Sequence, residues 1–281
     1  TGFDSVLKNI GEMENKGIEM GISADVLRKE VKWEVIAQAS NNRNTVMKLA
    51  DGSDIMGPAF SQPYNASLNL TREGEPFGVF VGLKEDGLNA DGSIKYVDVN
   101  TDGIINTLDR VILGDPNPKW IFSLNNNLSY KNFGLNIFME GIEGRDIFWA
   151  TAGAHLNSYQ RGHNQFADLF GNYWTPENPN PNAKYPKVSS SSASEISERY
   201  VKDGSYLRLK VVTLSYNIPV SKIRWLGAAQ LYVSGTNLLT FTNYPGLDPE
   251  VNTRGNAIFR GVDQNSYPSA KMLTVGTKLV F

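Results

Sequence analysis

Apolar and polar residues alternate along this chain in about seven stretches of roughly ten residues each, the length that a tilted membrane strand needs. Val31, Trp33, Val35, Ala37 and Ala39 share one parity, against Lys32, Glu34, Gln38 and Ser40. Trp120, Phe122, Leu124, Leu128 and Tyr130 likewise stand opposite Ser123, Asn125, Asn127 and Ser129, and the final stretch sets Leu273, Val275, Leu279 and Phe281 against Thr274, Gly276 and Lys278. Side chains on a strand point alternately to its two sides, so each stretch carries one apolar and one polar face. A face rich in asparagine requires water, which is supplied either by the wet interior of a barrel in lipid or by the solvated side of a soluble sandwich. Residues 206–218 are less regular: Leu207, Leu209 and Val211 give way to Leu214, Tyr216 and Ile218 on the opposite parity, with Arg208 and Lys210 between them. A bulge or burial on both faces accounts for that switch.

The links between the stretches narrow the choice. Arg28-Lys29-Glu30, Tyr130-Lys131-Asn132 and residues 219–227 are short, whereas 44–119, 143–203 and 242–270 are long, and the two kinds alternate strictly. Membrane barrels have tight turns at one end and long extracellular loops at the other, while compact soluble domains rarely carry several structureless loops of such size. The expected fold is all-β: the C-terminal strands of a large antiparallel transmembrane β-barrel with long extracellular loops. Seven strands cannot close such a barrel, because open edges leave backbone groups unpaired in hydrocarbon at several kcal/mol each. Thr1-Gly2-Phe3-Asp4 has neither the charged start nor the apolar run of a signal peptide, so residues 1–281 read as a portion of a longer barrel.

Composition excludes some partners. Lys+Arg 27 against Asp+Glu 29 leaves a net charge of -2, with no basic footprint for nucleic acid. Zero cysteines exclude a disulfide framework and a cysteine nucleophile without deciding the compartment. His155 and His163, with Asp146 and Asp168 nearby, match neither a compact metal spacing nor a triad, and no enzyme is expected.

One segment has ligand spacing. In Asp98-Val99-Asn100-Thr101-Asp102-Gly103-Ile104-Ile105-Asn106-Thr107-Leu108-Asp109, oxygen donors stand at loop positions one, three, five and twelve as Asp98, Asn100, Asp102 and Asp109. Gly103 permits the sharp turn, Ile104 offers its carbonyl, Asn106 contributes directly or through a water, and Ile105 takes the place of an aliphatic anchor. The expectation is a structural Ca2+ site in an EF-hand or dockerin-like loop over 98–109; the alternative is a turn rich in Asn, Asp and Gly that holds no ion. Residues 93–97 look extended, which argues against a paired-helix calcium switch.

Several motifs in order carry a family resemblance. They are Glu14-Asn15-Lys16-Gly17-Ile18-Glu19, the 98–109 loop followed by Leu113-Gly114-Asp115-Pro116-Asn117-Pro118, and Tyr173-Trp174-Thr175-Pro176-Glu177-Asn178-Pro179. Tyr206-Leu207-Arg208-Leu209-Lys210, Gly235-Thr236-Asn237-Leu238-Leu239-Thr240-Phe241 and Tyr244-Pro245-Gly246-Leu247-Asp248-Pro249-Glu250 complete the set. In these the chain resembles the C-terminal part of the SusC/RagA family of TonB-dependent outer-membrane transporters. The resemblance implies a 22-stranded barrel in the outer membrane of a Gram-negative bacterium, surrounded by outer-membrane lipid, with an internal plug. It also implies a SusD-like surface lipoprotein as a lid, TonB acting through a region outside these residues, and energised import of oligosaccharides or peptides. Trp149, Tyr159, Tyr173 and Trp174 in the long loops are candidates to stack on sugar rings or touch the lipoprotein, and equally candidates for loop core or interface girdle. The competing function is a secreted β-sandwich glycan-binding or adhesin module with a structural calcium loop. It explains the aromatics and the 98–109 loop but not the alternation of short and long links.

Overall fold

The computed structural model describes residues 9, 11–60, 64, 66–156, 164–188, 195–223, 225–251, 253 and 259–281. Seven long strands form one antiparallel sheet in chain order. They are β1 (Gly11–Arg28), β2 (Val31–Leu49), β3 (Trp120–Tyr130), β4 (Phe133–Glu143), β5 (Tyr206–Ile218), β6 (Ala228–Thr242) and β7 (Met272–Val280).

The register turns the parity of each strand into two continuous surfaces. Leu27, Trp33, Leu128, Leu135, Leu214, Val233 and Val275 pair in succession across all seven strands. On the other face Asp25, Glu34, Asn127, Asn136, Thr213, Ser234 and Thr274 do the same. Cross-strand hydrogen bonds knit this polar row: Asn127 Nδ2 donates to Glu34 Oε2 at 3.1 Å, Asn136 Nδ2 to Asn127 Oδ1 at 2.7 Å, and the Thr213 and Ser234 hydroxyls meet at 2.8 Å. Asn126 is a polar interruption of the apolar surface, and its Oδ1 accepts from Trp33 Nε1 at 3.2 Å. A sandwich would bury one of these faces beneath a second sheet; instead Ile18, Ile22, Leu231, Val233, Leu273 and Val275 all stand exposed.

The irregular stretch is a bulge. Register shifts fall between Phe138 and Met139 and between Leu209 and Val211, so Lys210 is the extra residue. Before it Leu207 and Leu209 belong to the apolar face, and beyond it Val212, Leu214 and Tyr216 do. Lys210 itself reaches Glu140 on the polar face at 2.6 Å.

Two expected boundaries move. β1 and β2 run 18 and 19 residues, well past the roughly ten of a membrane strand, and residues 44–49 continue β2 rather than opening a loop. Above the level where β3 begins, their hairpin is held by loop backbone: Val46 N donates to Glu75 O at 2.9 Å and Gly74 N to Val46 O at 2.8 Å.

The principal core lies outside the sheet. The described residues of the three long connections, 50–119, 144–205 and 243–271, fold together into a cap at one end of it. Phe60, Leu68 and Phe80 from the first, Ile147, Phe148, Ile196 and Tyr200 from the second, and Tyr244 and Val262 from the third make one buried cluster. Phe148 is its hub, with Phe60, Tyr64, Phe80 and Tyr200 rings 5.2 to 6.3 Å away. Small sheets accompany the cluster: one pairs Ile55–Met56, Asn69–Thr71, Val79–Gly82 and Val111–Gly114, a second Val201–Asp203, Asp146–Trp149 and Val262–Asp263, and a third is the hairpin of Glu85–Leu88 and Ile94–Tyr96. Ser189-Ser190-Ser191-Ser192-Ala193-Ser194, a low-complexity patch that reads as a loop tip, lies outside the described residues.

Candidate functional site

The bulge and the third long loop meet in a charged joint. Arg208, 2% exposed, donates from Nη2 to Asp248 Oδ1 at 2.5 Å, from Nη1 to Glu250 Oε2 at 2.8 Å and from Nε to the Thr240 hydroxyl at 3.0 Å. Lys210 bridges Glu140 and Glu250. Burial pushes the Asp248 carboxyl up, but the Ser269 and Glu250 amides and the Arg208 guanidinium outweigh it and hold the group below the usual carboxylate range. Three of the motifs quoted from sequence are thereby parts of one device: Arg208 and Lys210 from the first, Thr240 from the second, Asp248 and Glu250 from the third.

Directly beyond this joint, 245–247 form one wall of a cleft of about 660 Å³ in the cap. Residues 149, 151, 155, 164–166, 263 and 265–268 supply the rest, among them the large side chains Trp149, Phe166 and Tyr267 and the carboxylate of Asp263. Tyr267 is 93% and Leu247 78% exposed, whereas Asp263 is buried. Asp263 Oδ2 accepts from the buried Tyr244 hydroxyl at 2.6 Å and Oδ1 from Ser266 N at 3.2 Å. Burial, then Asp263, pushes the Tyr244 phenol far above its ordinary value. Sequence reading missed this cleft, because Trp149, Leu247, Asp263 and Tyr267 sit far apart in the chain and obey no common period.

The aromatic candidates sort differently. Trp149 and Trp174 are buried in the cap, and Tyr173 packs against its core. Trp174 lies over Gly92, where a Cβ would stand 2.3 Å from the indole. Of the three that are described, Trp149 alone lines the cleft; Tyr159 lies outside the described residues. His163 is also outside them; His155 Nδ1 sits 2.7 Å from Asn164 O, Asp168 meets Lys184 and Tyr185, and Asp146 Oδ2 accepts from Asp115 N at 2.8 Å.

In the 98–109 loop the expected donors are wrapped on the loop's own amides. Asp98 accepts from Asp102 N and Gly103 N at 3.3 and 2.8 Å, Asn100 Oδ1 from Asp102 N at 3.1 Å, and Asp102 Oδ1 from Ile104 N at 2.8 Å. Thr101 and Gly103 make the reversal with φ of 57° and 82°. Asp109 is fully buried and takes Val99 N and Asn106 N at 2.8 Å each. Those bonds, led by the Asn106 amide, hold its carboxyl below the ordinary range. The residue types suit a hard cation held by oxygen, although among the described residues no three carboxylate or imidazole side chains are placed to share a metal. Ile105 is exposed rather than anchored, since the chain has a single such loop with no second to pair with.

No family model matches the chain. It is 36% identical to TonB-dependent receptor P3 of Formosa agariphila and 25% identical to TonB-dependent receptor SusC of Bacteroides thetaiotaomicron, in both cases over the whole of this chain. It spans about 30% of the length of the curated relatives it matches. Its fold superposes on part of the RagAB peptide transporter with a TM-score of 0.81 at 22% identity, covering 99% of this chain and 30% of that one. The chain belongs to the SusC/RagA family of TonB-dependent receptors, of which it is a C-terminal part, and its seven long strands are a segment of the family's transmembrane β-barrel.

Proposed function

We propose that this chain is part of an outer-membrane importer in a Gram-negative bacterium, with the Leu27-to-Val275 surface against lipid and the Asp25-to-Thr274 surface lining a wet interior. The observation that carries the reading is the unbroken apolar row across seven strands with an unbroken polar row beside it, the arrangement that lipid outside and water inside demand. The cap built from the long connections then faces the extracellular side. Tyr130, Phe133 and Tyr216 pair in register near the short turns, and Trp225 stacks on Phe281 at 5.8 Å, in keeping with an interfacial aromatic girdle. A SusD-like lipoprotein would sit on the cap as a lid, TonB would energise the cycle, and oligosaccharides or peptides would be the cargo.

Deleting the receptor gene and following uptake of labelled oligosaccharides and peptides tests the function. Loss of uptake of one cargo class, and equal loss when TonB is removed, is expected. Unchanged uptake of both, with the protein recovered in the soluble fraction, would overturn it. We further propose that the 98–109 loop takes a structural Ca2+ through Asp98, Asn100, Asp102 and the Ile104 carbonyl, with Asp109 fixing the loop from within.

A further inference from the structure

Part of the polar lining of the cleft beside the charged joint is held by its neighbours. Thr151 Oγ1 donates to Asp263 O at 3.3 Å and accepts from Asn265 N at 2.8 Å, and the Ser266 and Thr253 hydroxyls meet at 2.6 Å. Beside these bonds the cleft presents the aromatic and aliphatic surface of Trp149, Phe166, Leu247 and Tyr267.

Asp263 brings a carboxylate to this lining, and among the described residues that line the cleft there is no lysine or arginine, His155 being the one basic side chain. Asp263 is 4% exposed, and among the described residues its side-chain bonds come from the Tyr244 hydroxyl and the Ser266 amide, not from a lysine or arginine. Each carboxylate oxygen accepts one bond and keeps a second acceptor position. Aromatic faces around a buried carboxylate are complementary to an organic cation, because the ring quadrupole and the carboxylate attract the same charge. About 660 Å³ admits a side chain with part of its backbone.

We infer that this cleft seats the lysine ammonium or arginine guanidinium of a peptide. The assignment rests on the import reading and gives its cargo a chemistry: a peptide with a cationic side chain, whose stem lies along Trp149 and Tyr267 and whose charge faces Asp263. Behind the wall at 245–247, Asp248 is held by Arg208.

The test is calorimetric titration of the detergent-solubilised full-length receptor with tetrapeptides differing at one position, which is lysine, arginine, norleucine or glutamate. Lysine and arginine peptides are expected to bind about tenfold tighter than norleucine, with glutamate weakest. Asp263→Asn should bring lysine to within about twofold of norleucine, and Tyr244→Phe, which keeps the carboxylate, should preserve the preference. Because Asp263 is buried and its variant risks misfolding, Tyr267→Ala serves as a second probe: its exposed ring can go without harm to the fold, and lysine-peptide affinity should fall about fivefold. Equal binding of lysine and norleucine peptides by the wild-type receptor, or full affinity in Tyr267→Ala, would overturn the assignment. Titration needs no energised membrane, so a cationic preference without cellular uptake refutes import alone, and uptake without the preference refutes the cleft alone.

Discussion

Arg208 Nη2 and Asp248 Oδ1 stand 2.5 Å apart, the arginine in a barrel strand and the aspartate in a loop of the cap. This contact turns a loop of 243–271 into a fixed part of the wall. Removing Asp248 leaves the buried guanidinium with the half-exposed Glu250 as its carboxylate partner, and breaking a buried pair costs up to about 3–5 kcal/mol. Asp248→Ala should therefore release this loop, and hydrogen exchange over 245–251 should accelerate by more than about a hundredfold while β3 and β4 keep their protection. Arg208→Met with Asp248→Leu should recover much of the loss, because an apolar pair carries no stranded charge. Equal exchange in the single and double variants would argue that the joint is packing alone.

The strands were legible because lipid and water impose a period of two, and Trp33, Leu128 and Val275 obey it. The polar run Asn41-Asn42-Arg43-Asn44-Thr45 hid the upper half of β2: its alternation disappears beyond the level of β3, where pairing with β1 and the loop backbone takes over. The cap core was illegible for another reason. Phe60, Phe148, Tyr200 and Val262 meet from remote segments, and no local pattern marks such a meeting. Of the joint, Arg208 and Lys210 were visible as charges in an otherwise apolar stretch; their partners 30 to 40 residues on required the fold.

Asp146 gives the cap a pH dependence. Burial, then the nearby Asp115 and Asp203 charges, pushes its carboxyl above the ordinary value despite the Asp115 amide. A carboxyl raised in the folded state favours the protonated fold: its contribution is complete below the unfolded value near 3.9 and is lost as pH rises through the folded value. Asp146→Asn keeps an acceptor for the Asp115 amide without the charge. It should slow proteolysis of the cap at pH 7 and make no difference at pH 3; a slower rate at pH 3 alone would contradict the sign.

Gly92 and Gly87 both have positive φ, 79° and 81°. Alanine at either position costs about 1–2 kcal/mol in backbone strain. At Gly87 an added Cβ meets nothing within 4 Å, while at Gly92 it meets the Trp174 ring. Gly92→Ala should therefore shift Trp174 and redshift its fluorescence as the indole gains water, whereas Gly87→Ala should leave the emission unchanged. Equal spectra for both variants would remove Trp174 from the packing of this hairpin.

The calcium proposal predicts that chelation loosens residues 98–109. Asp98→Ala together with Asp102→Ala should make the loop as protease-sensitive as the chelated wild type, with chelator having no further effect. The buried Asp109, which accepts the Val99 and Asn106 amides, should matter with or without the ion, so Asp109→Ala should open the loop even at saturating calcium. Unchanged cleavage with and without chelator in the wild type would sink the ion and leave a turn closed by its own amides.

Trp33 and Asn126 test which surface faces lipid. Their hydrogen bond joins neighbouring strands on the apolar side, where hydrocarbon offers no substitute partner. Trp33→Phe keeps the ring but strands the Asn126 carbonyl, at a cost of about 1–3 kcal/mol. Asn126→Leu added to Trp33→Phe should restore stability, since two apolar groups leave nothing unsatisfied. Unfolding in urea from lipid vesicles reads both, and water contact would erase the difference because solvent would pair with the stranded carbonyl. A penalty in the single variant that the double variant removes therefore places this face in hydrocarbon, and equal stabilities place it in water.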